Sequence, residues 1–190
     1  MASDRNLRAP PIVLLDANIL YPFHLRNLLI QLGVEGLIDA RWTDAIHEEW
    51  ISNLVADGRA TRERLVRTRD IMRRVLPDAD VRSYEHRIAT LTLPDAGDRH
   101  VLAAAIEAGA SVLLTFNLVD FPDASLATHG VVARDPDDFL CELHASDPEA
   151  VEAAVDAARR NLTLTTPEMG AFVDVLERQR LAAFVARLRQ

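Results

Sequence analysis

Residues 93–122, LPDAGDRHVLAAAIEAGASVLLTFNLVDFP, decide how the chain reads. Asp95 and Asp98 open the stretch three positions apart. Val101 to Ala108 follows as an alanine-rich apolar run, with Leu102, Ala105 and Ile106 at helical spacing. Gly109 is a helix stop, and Ser111–Thr115 reads as a buried strand. Asn117 and Asp120 leave that strand, followed by Phe121-Pro122. A helix feeding a parallel strand therefore carries acids at its start and at the strand's exit. In an open α/β sheet such strand exits line the ligand crevice.

A second junction of this kind stands near the N-terminus. Pro11–Leu15 is apolar, and Asp16-Ala17-Asn18 follows it directly. Asp16 and Asp120 are thereby expected at one end of one sheet. Carboxylates converging there repel unless a cation holds them, and hard, oxygen-preferring Mg²⁺ or Mn²⁺ is the natural occupant.

Composition narrows the alternatives. An apolar fraction of 49% suffices for a packed core. The lone Cys141 excludes a disulfide framework and any cysteine-rich zinc site, and fits a reducing cytoplasm. No signal peptide or membrane span is expected from the short polar start and the strand-length run after it. The net charge of −8 argues against a protein that coats nucleic acid, but not against a metal-dependent enzyme acting on it. All 21 basic residues are arginine. The absence of lysine excludes P-loop, kinase and Schiff-base chemistry.

Read in order, Tyr21–Leu32 is a helix, ended by Gly33, and Leu37–Trp42 is a short strand. Thr43 caps a helix through His47, Glu48, Glu49 and Trp50. Arg59–Arg74 carries seven arginines against Glu63 and Asp70, a helix with a basic face. That face is either solvated surface or a track for a phosphate backbone. Residues 80–92 leave room for one more helix, through Tyr84 and Ile88. Gly130–Ala133 is a strand, and Asp135–Leu140 opens a helix that Asp137 and Asp138 are expected to cap. Asp147-Pro148 and Thr166-Pro167 start two more, over 148–161 and 167–188. The alternation predicts an α/β unit with a mostly parallel sheet over 11–145, followed by an all-helical extension over 146–190.

The residues gathered so far are Asp16, Asn18, Glu48 or Glu49, Asp95, Asp98, Asn117 and Asp120. In kind and order they resemble the PIN-domain ribonucleases, particularly VapC-type toxins of bacterial toxin–antitoxin pairs. Asp16 and Asn18 match a strand-end Asp followed at +2 by Asn. Glu49 stands six residues after the Thr43 cap, where the family has a helix glutamate. Asp95 to Ile106 resembles the family's Asp-x-Asp-Asp-Arg-His-Val-Leu-Ala-Ala-Ala-Ile, with Gly97 in place of one Asp. Thr115 to Pro122 resembles Thr-Phe-Asn-x-x-Asp-Phe-Pro. The resemblance covers about residues 11–142, and the tail is similar to a helical extension found in longer members.

It implies a three-layer fold and a Mg²⁺-dependent endoribonuclease, with Mn²⁺ as substitute. Asp16 would be the central metal ligand, completed by Asp98 and Asp120. Glu49 would bind metal through water or orient the attacking water. Asn18, Thr115 and Asn117 would support, with Asp95 an outer contributor or helix cap. It also implies structured RNA as substrate, a cognate antitoxin over the acid site and a homodimer. Arg67, Arg69 and Arg99 are candidate RNA contacts.

Two other readings remain open: a PIN nuclease of RNA processing or DNA without a toxin role, and an inactive metal- or RNA-binding module. Among the single residues, Asp98 also suits a dipole partner for its helix, and Asn117 suits a turn former. Arg99 suits a surface cation, while His24, His47 and His100 suit packing or hydrogen bonding. Trp42 and Trp50 read as core. The apolar faces of 21–32 and 167–188 are candidate interfaces or core.

Overall fold

The computed structural model describes residues 9–165 and 167–190. The polar first eight residues and Thr166, expected above to cap a helix, lie outside them. In chain order the elements are β1 (Ile12–Leu15), α1 (Ala17–Leu20), α2 (Phe23–Val34), β2 (Asp39–Arg41), α3 (Asp44–Ala56), α4 (Arg62–Val75) and α5 (Glu85–Ile88). There follow α6 (Arg99–Glu107), β3 (Val112–Leu114), α7 (Asp123–Leu126), β4 (Val132–Arg134), α8 (Pro136–Ser146), α9 (Pro148–Arg160), α10 (Met169–Arg178) and α11 (Ala182–Leu188).

The four strands form one wholly parallel sheet in the order β2-β1-β3-β4. Val13, Leu14 and Leu15 pair with Val112, Leu113 and Leu114 at its centre. The Val13–Leu15 side chains are fully buried, as expected for a strand covered on both faces. From β1 the chain proceeds outward to β2, then returns to build β3 and β4 on the other side. Parallel crossovers run in two directions from β1, and by the general right-handed rule they put helices on both faces, giving a three-layer α/β fold. The reversal between β1 and β3 opens a crevice at the strands' carboxyl ends.

Thr43 caps α3 by accepting from Ile46 N at 3.1 Å, as its position before an acidic first turn predicts. Trp42 and Trp50 lie in the core. The apolar faces of α2 and of the C-terminal helices are satisfied within the chain. Leu25, Leu28, Leu29 and Leu32 of α2 and Phe184 and Val185 of α11 are buried, with α2 packed on α9 and α11 packed on α8. The bulk of each face is therefore core, while Phe23 and Val34 on α2 and Met169 on α10 stay exposed.

Two helix expectations are corrected. The first long helix runs through Gly33 to Val34 and is closed by Gly36 in the left-handed region. Residues 167–188 form α10 and α11, broken at Gln179-Arg180-Leu181, with Arg180 in the left-handed region at φ 71°. The break has tertiary support. Leu25 N donates to the Gln179 side chain at 2.9 Å, and Ala183 N and Phe184 N donate to Asp137 at 2.9 and 2.7 Å. Asp137 thus caps α11, while α8 is capped by Asp135, which accepts from Asp137 N.

Candidate active site

Asp16 is the first residue beyond β1 and Thr115 the first beyond β3, so sheet register alone brings them together across the central crevice. Asp16 N donates to Leu114 O at 3.1 Å, extending the ladder by one step. Asp16 is 7% exposed and Thr115 fully buried. Thr115 Oγ donates to Asp16 Oδ2 at 2.7 Å, and Asn18 Nδ2 donates to the same oxygen at 2.6 Å. Ala17 N donates to Oδ1 at 2.6 Å. Asn18 Nδ2 also reaches Thr115 Oγ at 2.9 Å, and Asn18 Oδ1 accepts from Phe116 N at 3.0 Å. Each polar group in this frame has a partner, the condition under which a buried network fixes one geometry. Burial raises the Asp16 pKa, opposed by the Thr115 bond, the Ala17 amide, His100 and Asn18.

Three further elements bring acids to the crevice. On α3 the neighbours Glu48 and Glu49 diverge, as residues about 100° apart on a helix must. Glu48 pairs with Arg62 of α4 at 2.6 Å and accepts from Ser52. Glu49 lies 3.8 Å from His100 Nε2 and feels Asp16 and Asp98. Partial burial first, then those two charges, push its pKa up to about 6. Asp98, at the N-terminal end of α6, is pushed up to about 6 by burial, then by Asp16, Asp95 and Asp120. Asp95 folds over the turn before it, accepting from Gly97 N at 2.7 Å. After β3, Asn117 N donates to Thr115 Oγ at 3.0 Å, and Asn117 Nδ2 donates to Asp120 Oδ2.

The fold therefore brings Asp16, Asn18, Glu49, Asp95, Asp98, Thr115, Asn117 and Asp120 to one crevice and turns Glu48 away. Among the described residues no arginine forms an ion pair with Asp16, Glu49, Asp95, Asp98 or Asp120. This oxygen-rich, uncompensated donor set fits a hard divalent cation. It is not a closed cage: among the described residues, no three acidic, histidine or cysteine side chains stand close enough to hold an ion as they are.

The basic helix divides by face. On α4, Arg62 pairs with Glu48, Arg69 with Asp70, and Arg73 with Asp44 and Asp80. Arg64, Arg67 and Arg74 are exposed and form no ion pair among the described residues. Arg67 and Arg69, two positions apart, point about 200° apart and do not form one track. Arg99 is half-buried beside Asp98, its Nε donating to Ala96 O at 3.0 Å.

Sequence reasoning missed one neighbour of the site. The Arg180 guanidinium lies 4.3 Å over the ring of Phe116, the residue between Thr115 and Asn117. A polar residue inside an apparently continuous apolar helix gives no local sign of such a contact.

Comparison with known proteins agrees with the fold. A family profile described as "PIN domain" matches residues 12–118. That is more than half of the 190 residues, and the chain belongs to the PIN domain family. A second profile, described as "VapC50 C-terminal domain", matches residues 136–190. A 58-residue segment is 45% identical to the Mycobacterium tuberculosis protein named "Putative ribonuclease VapC50", covering 30% of this chain and 34% of that protein. The match thus spans about a third of the relative's length. No solved structure matches the chain significantly. Among the described residues no helix is long and apolar enough to cross a membrane.

Proposed function

We propose that this chain is a metal-dependent endoribonuclease, using Mg²⁺ or Mn²⁺, that acts in the cytoplasm as the toxin of a type II toxin–antitoxin pair. One observation carries the reading. Asp16, Glu49 and Asp98 crowd a single crevice at the sheet's carboxyl edge, coupled in charge and without an arginine partner among the described residues. The PIN family match and the printed name of the mycobacterial relative support it. The unit over 11–145 would carry the chemistry and the helices over 146–190 would extend it.

Asp16, Asp98 and Asp120 would hold the cation, which supplies Lewis acidity, acidifying water and offsetting phosphate charge. Thr115 and Asn18 fix Asp16 as an oriented anion, and Asn117 orients Asp120. Asp95 shapes the turn that presents Asp98. Hydrolysis joins a water oxygen to phosphorus, displaces one water proton and breaks the bond from phosphorus to one ribose oxygen, which leaves as a hydroxyl by taking a proton from solvent. Glu49, with its pKa about 6, is placed to take that proton near neutral pH. Arg67 and Arg99 would contact the RNA backbone, a cognate antitoxin would cover the acids, and the chain would work as a homodimer.

The test is incubation of total bacterial RNA with the purified chain. Discrete fragments with Mg²⁺ or Mn²⁺, and none with EDTA, are expected. Equal cleavage in EDTA would contradict the metal role. For the toxin role, expression should arrest growth, and co-expression of a cognate antitoxin should restore it.

A further inference from the structure

We infer that the C-terminal helices complete the nuclease site by supplying Arg180 as an RNA-phosphate contact at its rim. The argument starts from backbone geometry. At the end of α10, Arg180 N donates to Glu177 O at 3.1 Å and Leu181 N donates to Leu176 O at 3.3 Å. These are the two bonds of a Schellman motif, whose left-handed residue is usually glycine because a Cβ disfavours that conformation. The chain follows the rule elsewhere. Gly36, Gly58 and Gly109 close α2, α3 and α6 with the same pair of bonds and φ values of 71°, 63° and 64°. Only after α10 does an arginine, at φ 71°, take the position among these four helix ends. Strain of this kind persists where surrounding contacts enforce it, and it gathers at functional sites.

The side chain shows what the substitution provides. The guanidinium lies over the face of Phe116, whose amide donates to Asn18 and whose chain neighbours Thr115 and Asn117 donate to Asp16 and Asp120. Its nearest carboxylate is Asp135, just beyond β4, at 3.8 Å. Arg180 thus sits over the exits of β3 and β4, at the same sheet edge as the acids. The side chain is 63% exposed and makes no hydrogen bond among the described residues. A guanidinium over a ring face keeps edge N–H groups free for a planar, bidentate anion. The break itself is held from both sides, by Gln179 on Leu25 N and by Asp137 on Ala183 and Phe184 N. A polyanion entering a crevice of uncompensated acids needs a fixed cation beside it, and Arg180 is so placed.

This inference rests on the nuclease reading, and its test separates the two. Binding of a fluorescein-labelled oligouridylate is measured by anisotropy in EDTA over a salt series, for wild type, Arg180→Gly and Arg180→Gln. Both variants are expected to bind about 5- to 10-fold more weakly, with the salt slope reduced by about one, as for loss of one phosphate contact. Arg180→Gly relieves the strained backbone, so its Tm should equal or exceed that of wild type. Unchanged affinity and slope in both variants would overturn the inference and leave the nuclease reading standing. Lower Tm with an unchanged slope would make Arg180 a structural clamp and also overturn it. A wild type that binds no oligouridylate in EDTA would overturn the inference, whereas the nuclease reading falls only if total RNA also stays intact in Mg²⁺ and Mn²⁺.

Discussion

Thr115 Oγ donates to Asp16 Oδ2 at 2.7 Å across 99 positions of sequence. The bond exists because β1 and β3 are hydrogen-bonded neighbours at the sheet's reversal point, so the first residue past each strand faces the other. It links the fold to the site: the same register that buries Val13–Leu15 fixes the buried carboxylate.

Replacing that hydroxyl with a methyl tests the link. Thr115→Val keeps the shape but strands Asn117 N and one Asn18 donor. Leaving buried polar groups unpaired costs about 1–3 kcal/mol. Because the Thr115 bond lowers the Asp16 pKa, its loss should raise that pKa further and move the acid limb of the pH–rate profile upward. An unmoved acid limb with a lowered Tm would separate stability from tuning of Asp16.

Burial first, then the charges of Asp16, Asp95 and Asp120, raise the folded pKa of Asp98 to about 6, above the ordinary carboxylate value. A raised carboxylate pKa favours the neutral form in the folded state, so stability is lost as pH rises through about 6. In metal-free protein, Asp98→Asn should raise Tm at pH 7.5 by about 2–4 °C, equivalent to about 1 kcal/mol after solvent screening. The two proteins should converge below about pH 4, under the unfolded carboxylate value. Mn²⁺ should raise the Tm of wild type more than that of the variant. Lower stability with an unchanged Mn²⁺ response would remove Asp98 from the metal site.

Much of this site was legible because strand ends and helix caps are local signals. Asp16, Asp98, Thr115 and Asp120 stand at such junctions, and parallel alternation then requires them to share an edge. The Glu48–Glu49 choice needed the family spacing from Thr43, and the Arg62 partner of Glu48 explains why it faces away. Three features were not local. The α10–α11 break occurs at an arginine, with apolar spacing continuing through it. Asp137 caps a helix 46 positions away rather than its own. Arg67 and Arg69 looked like one basic face until ion pairing sorted them.

His47 shows a different pH dependence. It is buried against Trp42 and Trp50, accepts from Trp50 Nε1 on Nδ1 at 3.0 Å, and leaves Nε2 without a partner among the described residues. Burial, followed by Arg73 and Arg69, lowers its pKa to about 3. A depressed histidine pKa keeps the folded form neutral. Its contribution is therefore complete above the unfolded value near 6.5 and is lost as pH falls from there towards 3. Loss on the order of a few kcal/mol is expected over that window. His47→Gln should flatten the fall of Tm between pH 6.5 and 4. An identical slope in the variant would place the acid sensitivity elsewhere.

The central claim is that the Asp16 carboxylate is required for metal-dependent RNA cleavage. Its most direct test compares wild type with Asp16→Ala on total bacterial RNA in Mg²⁺, with circular dichroism confirming that both are folded. Wild type should give discrete fragments, and the folded variant should lose at least about 3 kcal/mol of transition-state stabilisation, over a hundredfold in rate. Equal cleavage by folded Asp16→Ala would contradict the account.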